Sequence, residues 1–231
     1  MLIIHSNEIA PQETGHFSYI GGKPMLPENL KGPIFAKDDV PMTFFFQICF
    51  PKEHVWFDKI VSVFSTTTYC DAETYIPKLP PSLANHILED AFFENYETFF
   101  RFFVFDKSEV CLNEYYQEKL VYRKLRFTEK GDSNDIVFGQ INSSPIWLLE
   151  NEGPKSYEGS EDKINFLFQT NCDYQYLKIA GAPNQTVEDY TTDNGMVESE
   201  TDEYQLFASN ELYFFGIERS LSPQIYVVPQ S

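Results

Sequence analysis

The sequence predicts a β-dominated α+β fold in which two pseudo-repeated antiparallel β-rich halves form one compact body. One observation is an internal similarity: Pro24 precedes an apolar run that ends at Gln47, 23 positions later, and Pro145 precedes a similar run that ends at Gln169, 24 positions later. Another is the aromatic content of 16%, since aromatic side chains favour strands. We therefore predict one domain over residues 1–231, with halves at about 1–130 and 131–231.

In the first half, the apolar runs at residues 42–50 and 55–68 predict strands that are covered on both faces. Ser82 is a candidate N-cap for a short helix over residues 83–91. Residues 96–105 predict another strand, whereas residues 114–127 fit a helix or a strand equally well.

The loop at residues 131–135 (Gly-Asp-Ser-Asn-Asp) is the predicted boundary between the halves. Beyond it, residues 136–141, 164–171, 211–217 and 224–228 predict strands. Residues 183–204 interrupt this pattern as a long, polar and acidic loop, and the sequence leaves open whether that loop is ordered.

Composition limits the range of partners. The net charge of −18 argues against binding to phosphate backbones and to anionic membrane surfaces, so we expect no nucleic-acid or membrane partner. Residues 1–4 lack the basic flank and the length of a secretory signal, and we expect a cytoplasmic protein. The cysteines form no CxxC pair, which predicts buried, reduced thiols instead of a disulfide framework or a zinc site: Cys49, Cys70, Cys111 and Cys172.

No motif for catalysis or cofactor binding is present. There is no GxSxG, HExxH or phosphate-binding glycine loop, so we expect no cofactor and interpret Gly21, Gly22 and Gly139 as turn glycines. His86 falls in the candidate helix, and His54 lies beside Trp56, where it could belong to an aromatic pocket.

Two polar features remain as candidate sites. Gln47 and Gln169 each lie in an apolar strand, where the amide either bonds to a neighbouring turn or lines a cleft between the halves. The acidic stretch could gather oxygen ligands for a cation through Asp189, Asp193 and Glu198, or it could bind a basic protein. Residues 151–231 hold 14 acidic and 4 basic residues, which favours the protein partner. The predicted partner-binding residues are Glu188, Asp189, Asp193, Glu198, Glu200, Asp202 and Glu203.

These motifs resemble the YwqG-like family of bacterial cytoplasmic proteins of uncharacterised function, which have two pseudo-repeated β-rich halves. The resemblance spans positions from about 20 to about 217. It is carried by the segment Gly21-Gly22-Lys23-Pro24 with Phe44-Phe45-Phe46-Gln47, and by Phe138-Gly139, Pro145-Ile146-Trp147, Phe166-Leu167-Phe168-Gln169 and Leu212-Tyr213-Phe214-Phe215.

The chain departs from the family pattern where Phe207-Ala208-Ser209 replaces the usual Trp-Gly-Asp, so no role of that Asp is carried over. The family offers no agreed catalytic residues. Its fold is similar to that of the programmed-cell-death-2-like proteins, which escort a basic ribosomal protein but carry CxxC pairs that this chain lacks. Some YwqG-like proteins are suspected of neutralising toxins, and either role would suit an acidic protein.

The sequence therefore favours a non-enzymatic module that binds a basic protein, of escort or immunity type. The alternative is a small-molecule or metal-dependent enzyme with its site in the cleft between the halves. The identity of the partner and the oligomeric state stay open.

Overall fold

A computed structural model of the chain describes residues 1–9, 11–70, 76–80, 86–129, 136–158, 164–172, 174–189, 191–193, 195–218 and 223–231. Strands dominate these residues, as predicted. The helical segments among them are three short 3-10 turns, at Asp90–Phe93, Lys107–Glu109 and Phe207–Ser209. No helix in these ranges is long and apolar enough to cross a membrane.

Ten strands form one large sheet that curls until it is nearly closed. We number them in chain order: β1 Leu2–Ile9, β2 Tyr19–Ile20, β3 Thr43–Cys49, β4 Lys59–Ser65, β5 Phe100–Asp106, β6 Arg123–Thr128, β7 Ile136–Ile141, β8 Ile164–Thr170, β9 Glu211–Ile217 and β10 Gln224–Gln230. Their order across the sheet is β10-β9-β8-β7-β1-β6-β2-β3-β4-β5, and all neighbouring strands are antiparallel.

Five two-stranded ribbons surround this sheet. They pair Met25–Leu26 with Cys111–Leu112, Ile34–Phe35 with Val40–Pro41, Ile87–Leu88 with Ser156–Tyr157, Tyr176–Leu177 with Glu203–Tyr204, and Gln185–Glu188 with Met196–Ser199. Three of them join residues more than twenty positions apart in the sequence: Met25–Leu26 with Cys111–Leu112, Ile87–Leu88 with Ser156–Tyr157, and Tyr176–Leu177 with Glu203–Tyr204.

Phenylalanine rings from opposite sides of the sheet meet in its interior. The ring of Phe46 lies 5.0 Å from Phe138, 6.1 Å from Phe168 and 5.9 Å from Phe214, centroid to centroid. Such edge-to-face contacts add to the burial energy of aromatic side chains. Since neighbouring residues of a strand point to opposite faces, the residue after Phe46 and the residue after Phe168 point outward. These two residues are Gln47 and Gln169.

The predicted helix over residues 83–91 is wrong where the structure describes it. Residues 86–91 contain the short strand Ile87–Leu88 and the start of a 3-10 turn, because the strand pairs with Ser156–Tyr157 and this distant pairing overrides local helix propensity. Ser82 and the predicted boundary loop at 131–135 lie outside the described residues. The ambiguous segment 114–127 resolves into irregular chain followed by β6.

Candidate functional site

The amide of Gln47 holds the chain before and after the first glycine pair. Its Oε1 accepts a hydrogen bond from the N–H of Met25 at 3.0 Å, and its Nε2 donates to the carbonyl of Phe17 at 3.0 Å. Gly21 has φ +60, and a Cβ there would collide with the carbonyl of Val121. The turn before Pro24 thus requires glycine for both its conformation and its close approach.

The amide of Gln169 holds the chain that follows Pro145. Its Oε1 accepts from the N–H of Ile146 at 2.8 Å, and its Nε2 donates to the Ile146 carbonyl at 3.1 Å. Gly139 lies so close to this strand that a Cβ would collide with the Gln169 carbonyl. Trp147, two residues beyond Pro145, packs on Tyr213 with ring centroids 4.4 Å apart.

The two amides do not face a common cleft. β3 and β8 are separated by four strands in the sheet order, and each amide is buried beneath its own loop. The geometry therefore matches the interpretation in which each glutamine bonds to a neighbouring turn, and not the interpretation in which the pair lines one ligand site.

The acidic stretch forms a β-ribbon and not the predicted long loop. Gln185–Glu188 pairs antiparallel with Met196–Ser199, and Glu203–Tyr204 then pairs with Tyr176–Leu177. The β-branched residues Thr186, Val187 and Val197 favour strands, and Val187 lies opposite Val197 in the ribbon. We call residues 185–203 the acidic ribbon.

Hydrogen bonds fix the base of the acidic ribbon to Gln205 and to the chain that follows β4. The side-chain amide of Gln185 binds both backbone groups of Gln205. Its Nε2 donates to the Gln205 carbonyl at 2.8 Å, and its Oε1 accepts from the Gln205 N–H at 2.7 Å. The N–H of Thr186 donates to the Thr67 carbonyl at 2.9 Å, and its hydroxyl donates to the Thr68 carbonyl at 3.1 Å. The carboxylates of the ribbon are thus presented on an anchored element.

The structure brings all seven predicted partner-binding residues onto this ribbon and its flank. Asp193, Glu198, Glu200 and Asp202 are exposed, whereas the other three are half-buried: Glu188, Asp189 and Glu203. Apart from Glu188, none of the seven forms an ion pair with another described residue. The ribbon therefore carries a concentration of negative charge that the described chain does not neutralise.

Asp189 differs from its neighbours because it has a structural role. Its carboxylate accepts hydrogen bonds from the N–H and the hydroxyl of Thr191 at 2.8 and 2.6 Å, and these bonds lower its pKa. Among the described residues no group of three or more His, Cys, Asp or Glu side chains is placed to hold a metal ion. The suggested ligands Asp189, Asp193 and Glu198 thus do not converge.

A polar cleft of about 300 Å³ lies at the base of the acidic ribbon, between residues 65–70 and residues 185–188 and 205–208. One wall is the turn Phe207–Ser209, in which three consecutive non-glycine residues have positive φ angles of 50, 56 and 59°. Such backbone is strained and is often found at functional sites. Sequence reasoning missed this cleft, because its walls come from segments that are far apart in the sequence.

A larger groove of about 1190 Å³ lies between residues 26–34, 111–119 and 179–183. Lys119 is at its edge, and burial lowers the pKa of this ammonium group, which donates to the Pro41 carbonyl at 2.9 Å. The groove is lined by residues before and after the predicted boundary, as is the polar cleft.

His54 has a structural environment. Its ring stacks on Phe50 with centroids 4.2 Å apart, its Nδ1 lies 3.0 Å from the Trp56 N–H, and its Nε2 lies 3.2 Å from the Leu167 carbonyl. Burial lowers its pKa to about 4, so the ring stays neutral and links the β3–β4 turn to β8.

The cysteines are only partly as predicted. None of the four forms a disulfide, but only Cys70 is buried, whereas Cys111 is exposed and the other two are half-buried: Cys49 and Cys172. Because Cys111 pairs through its backbone with Leu26, its position follows from a ribbon contact that the sequence did not reveal.

No protein-family model matches this sequence, and no curated protein matches it significantly.

Proposed function

We propose that this protein binds a basic protein partner through the acidic ribbon and catalyses no reaction itself. The observation that carries the proposal is the cluster of exposed carboxylates at Asp193, Glu198, Glu200 and Asp202, without ion-pair partners among the described residues. An anchored ribbon loses little conformational freedom on binding, which lowers the entropic cost of association. The overall charge of −18 would add long-range steering of a basic partner.

Salt-dependent co-purification tests this function. The tagged protein is recovered from lysate of its own cells and eluted with a salt gradient, and we expect a stoichiometric basic protein that salt releases. The triple variant Glu198→Gln, Glu200→Gln, Asp202→Asn should weaken the purified complex at least tenfold. A matched control removes the same charge elsewhere, at the exposed residues Glu53, Glu94 and Glu129, and should retain the affinity.

Two results would refute the proposal. One is the absence of a partner at every salt concentration. The other is an equal loss of affinity in both triple variants, which would mean that total charge, and not the acidic ribbon, determines binding.

The polar cleft supports a second candidate function, an enzyme or small-molecule binder with its site at that cleft. The specific observation is the left-handed turn at Phe207–Ser209 in the wall of the cleft. A thermal-shift screen of metabolites and divalent cations tests it, since a specific ligand raises the melting temperature by mass action.

We further propose that the chain consists of two copies of a five-stranded unit, β1–β5 and β6–β10, with the YwqG-like resemblance as its family interpretation. This division moves the boundary from residues 131–135, where the sequence placed it, to a point before β6. The sheet order supports this, because β2 to β5 follow one another on one side and β7 to β10 on the other. The first strands are exchanged: β1 pairs with β7 and β6 pairs with β2. The irregularities at Phe44/Phe46 and Phe166/Phe168 occupy matching positions.

Equivalent units predict equivalent glutamines. Gln47→Leu and Gln169→Leu should each lower the free energy of unfolding by about 1–3 kcal/mol, since each leaves a backbone N–H unpaired beneath a loop. A large difference between the two losses in chemical denaturation would count against equivalent units. We also propose a cytoplasmic location, where cysteine thiols stay reduced.

A further inference from the structure

Two loops of this protein are held by glutamine in the same way. The first strap, residues 24–27, is fixed where the N–H of Met25 donates to Gln47. The second strap, residues 145–149, is fixed where the N–H of Ile146 donates to Gln169, and it continues across β9 and β10. There the N–H of Leu148 donates to the Tyr213 hydroxyl at 2.7 Å, and the N–H of Leu149 donates to Gln230 at 3.1 Å.

The first strap is covered by another segment of the chain. Met25–Leu26 pairs antiparallel with Cys111–Leu112, and the N–H of Asn113 donates to the Pro24 carbonyl at 2.9 Å. As a result Met25 is only 2% exposed and Leu26 only 1%. An extended segment thus satisfies the outer backbone groups of this strap and buries its apolar side chains.

The second strap has no such cover among the described residues. Ile146, Leu148 and Leu149 are 55%, 50% and 60% exposed, in contrast to Met25 and Leu26. The N–H and carbonyl of Trp147 and the carbonyl of Pro145 have no hydrogen-bond partner in the described part of the chain. A row of exposed apolar side chains beside unpaired backbone groups is the arrangement that an added strand recognises.

The charge around the second strap indicates what kind of segment fits. Glu150 directly follows the second strap in the chain. The carboxylate of Glu211 accepts a hydrogen bond at 2.6 Å from Nε2 of Gln169, the glutamine that fixes the strap. Neither carboxylate forms an ion pair with another described residue, and neither does Glu152. An occupant with Lys or Arg next to apolar residues would complement this surface.

We propose that the second strap binds an extended peptide segment with alternating apolar and basic residues, paired backbone to backbone with Pro145 and Trp147. The segment takes the place that Cys111–Leu112 takes on the first strap. This inference rests on the proposed function for the source of the segment, a basic protein, but the strap is distinct from the acidic ribbon in sequence and in contacts.

A displayed library of random dodecapeptides is the probe. After selection on immobilised protein, we expect enriched peptides with apolar residues at alternate positions and Lys or Arg between them. Their affinity should fall at least tenfold with Leu148→Ser, Leu149→Ser, two exposed substitutions that leave the core intact. The control pair Val55→Ser, Phe57→Ser removes exposed apolar side chains elsewhere and should leave the affinity unchanged.

Two further measurements distinguish backbone pairing from nonspecific hydrophobic binding. In an added strand, every second N–H points toward the strap. Methylating those backbone nitrogens in a selected peptide should weaken binding at least tenfold, whereas methylating the intervening nitrogens should weaken it little. Binding should also change the emission of Trp147, which is half-buried at the strap, whereas the second tryptophan, Trp56, is fully buried.

The inference is overturned if selection enriches no peptide, if the enriched peptides are neutral or acidic, or if both double variants bind them equally. Peptide binding that survives neutralisation of Glu198, Glu200 and Asp202 supports the strap even where the lysate experiment finds no ribbon-dependent partner. Conversely, a ribbon-dependent partner combined with a failed selection overturns this inference and leaves the proposed function standing.

Discussion

The hydroxyl of Tyr96 lies 3.0 Å from the backbone nitrogen of Val227 and 3.4 Å from its carbonyl oxygen, so one side chain bonds to both backbone groups of a residue 131 positions away. Val227 belongs to β10, one end strand of the sheet, and Tyr96 lies four residues before β5, the other end strand. β5 and β10 are not paired by a ladder. Tyr96 therefore bridges the seam of the nearly closed sheet.

Replacing Tyr96 by Phe should lower the free energy of unfolding by about 1–3 kcal/mol, because it leaves the Val227 N–H buried without this partner. Equilibrium denaturation in urea measures the loss. Tyr226→Phe is the matched control, since the Tyr226 hydroxyl is buried without a hydrogen-bond partner among the described residues. It should change stability little or raise it, and equal losses in both variants would contradict the assigned role of Tyr96.

His54 should make the protein less stable in acid. Its pKa is lowered to about 4 by burial, whereas an unfolded histidine titrates near 6.5. Between these values His54 binds a proton in the unfolded chain but not in the folded chain. The free energy of unfolding therefore falls as the pH falls from 6.5 to 4. Because the ring is partly exposed, we expect the free energy of unfolding to fall by about 2 kcal/mol over this range.

His54→Gln tests this pH dependence, because the glutamine amide does not titrate and can still accept a hydrogen bond from the Trp56 N–H and donate one to the Leu167 carbonyl. The stability lost in this variant at pH 7 should shrink as the pH is lowered to 4, measured by denaturation at each pH. A loss that is constant across this range would show that the ring protonates equally in both states.

Glu97 should act in the opposite direction. Burial raises its pKa to about 7, although Arg101, 3.2 Å away, and the N–H of Phe102 favour the charged form. Between the ordinary value of 4.5 and about 7 the folded carboxyl keeps a proton that the unfolded one releases. Stability is therefore present below pH 4.5 and is lost as the pH rises through 7, by up to about 3 kcal/mol.

Glu97→Gln removes this dependence, so the variant should gain stability relative to the original protein as the pH rises from 4.5 to 7. Arg101→Gln is a second test, because loss of the guanidinium should raise the pKa of Glu97 further. The pH range over which stability is lost should then extend to higher pH. Denaturation across this pH range measures both, and parallel pH profiles for all three proteins would contradict the buried carboxyl.

The strands of the large sheet could be predicted because their sequences carry the signal themselves. Ile136–Ile141 and Glu211–Ile217 appear with the predicted bounds, since both segments are rich in β-branched, aromatic and other apolar residues and are followed by polar residues. The segment at residues 83–91 could not be predicted correctly, because Ile87–Leu88 depends on pairing with Ser156–Tyr157. Local propensity contains no information about a partner strand about seventy residues away.

The candidate site shows the same division. The charge of the acidic ribbon is visible in the sequence, and so are the two glutamines that fix the straps. The exposure of Ile146 and the cover over Met25 are not, because both depend on which distant segment lies on which strap. Seam-closing contacts such as Tyr96 with Val227 are hidden for the same reason.

Gly216 should tolerate no side chain. A Cβ at this residue of β9 would collide with the ring of Trp56, which is fully buried. Gly216→Ala should therefore lower the free energy of unfolding by about 3 kcal/mol through overpacking, as measured by urea denaturation. Gly15→Ala is the control, because nothing lies within 4 Å of a Cβ there. In a Trp56→Phe background the cost of Gly216→Ala should shrink, and an unchanged cost would place the strain elsewhere.

The left-handed turn beside the polar cleft stores strain that glycine would release. Ala208 is exposed and has φ 56°, so its Cβ contributes unfavourable energy and no packing. Ala208→Gly should raise the free energy of unfolding by up to about 1 kcal/mol, the relief of strain exceeding the added entropy of the unfolded chain. Ala180, which is also exposed but does not have a positive φ, provides the contrast. Ala180→Gly should destabilise by about 0.5 kcal/mol. If both substitutions destabilise equally in urea denaturation, the turn at Phe207–Ser209 holds no strain, and the argument for a functional role of the cleft loses its main support.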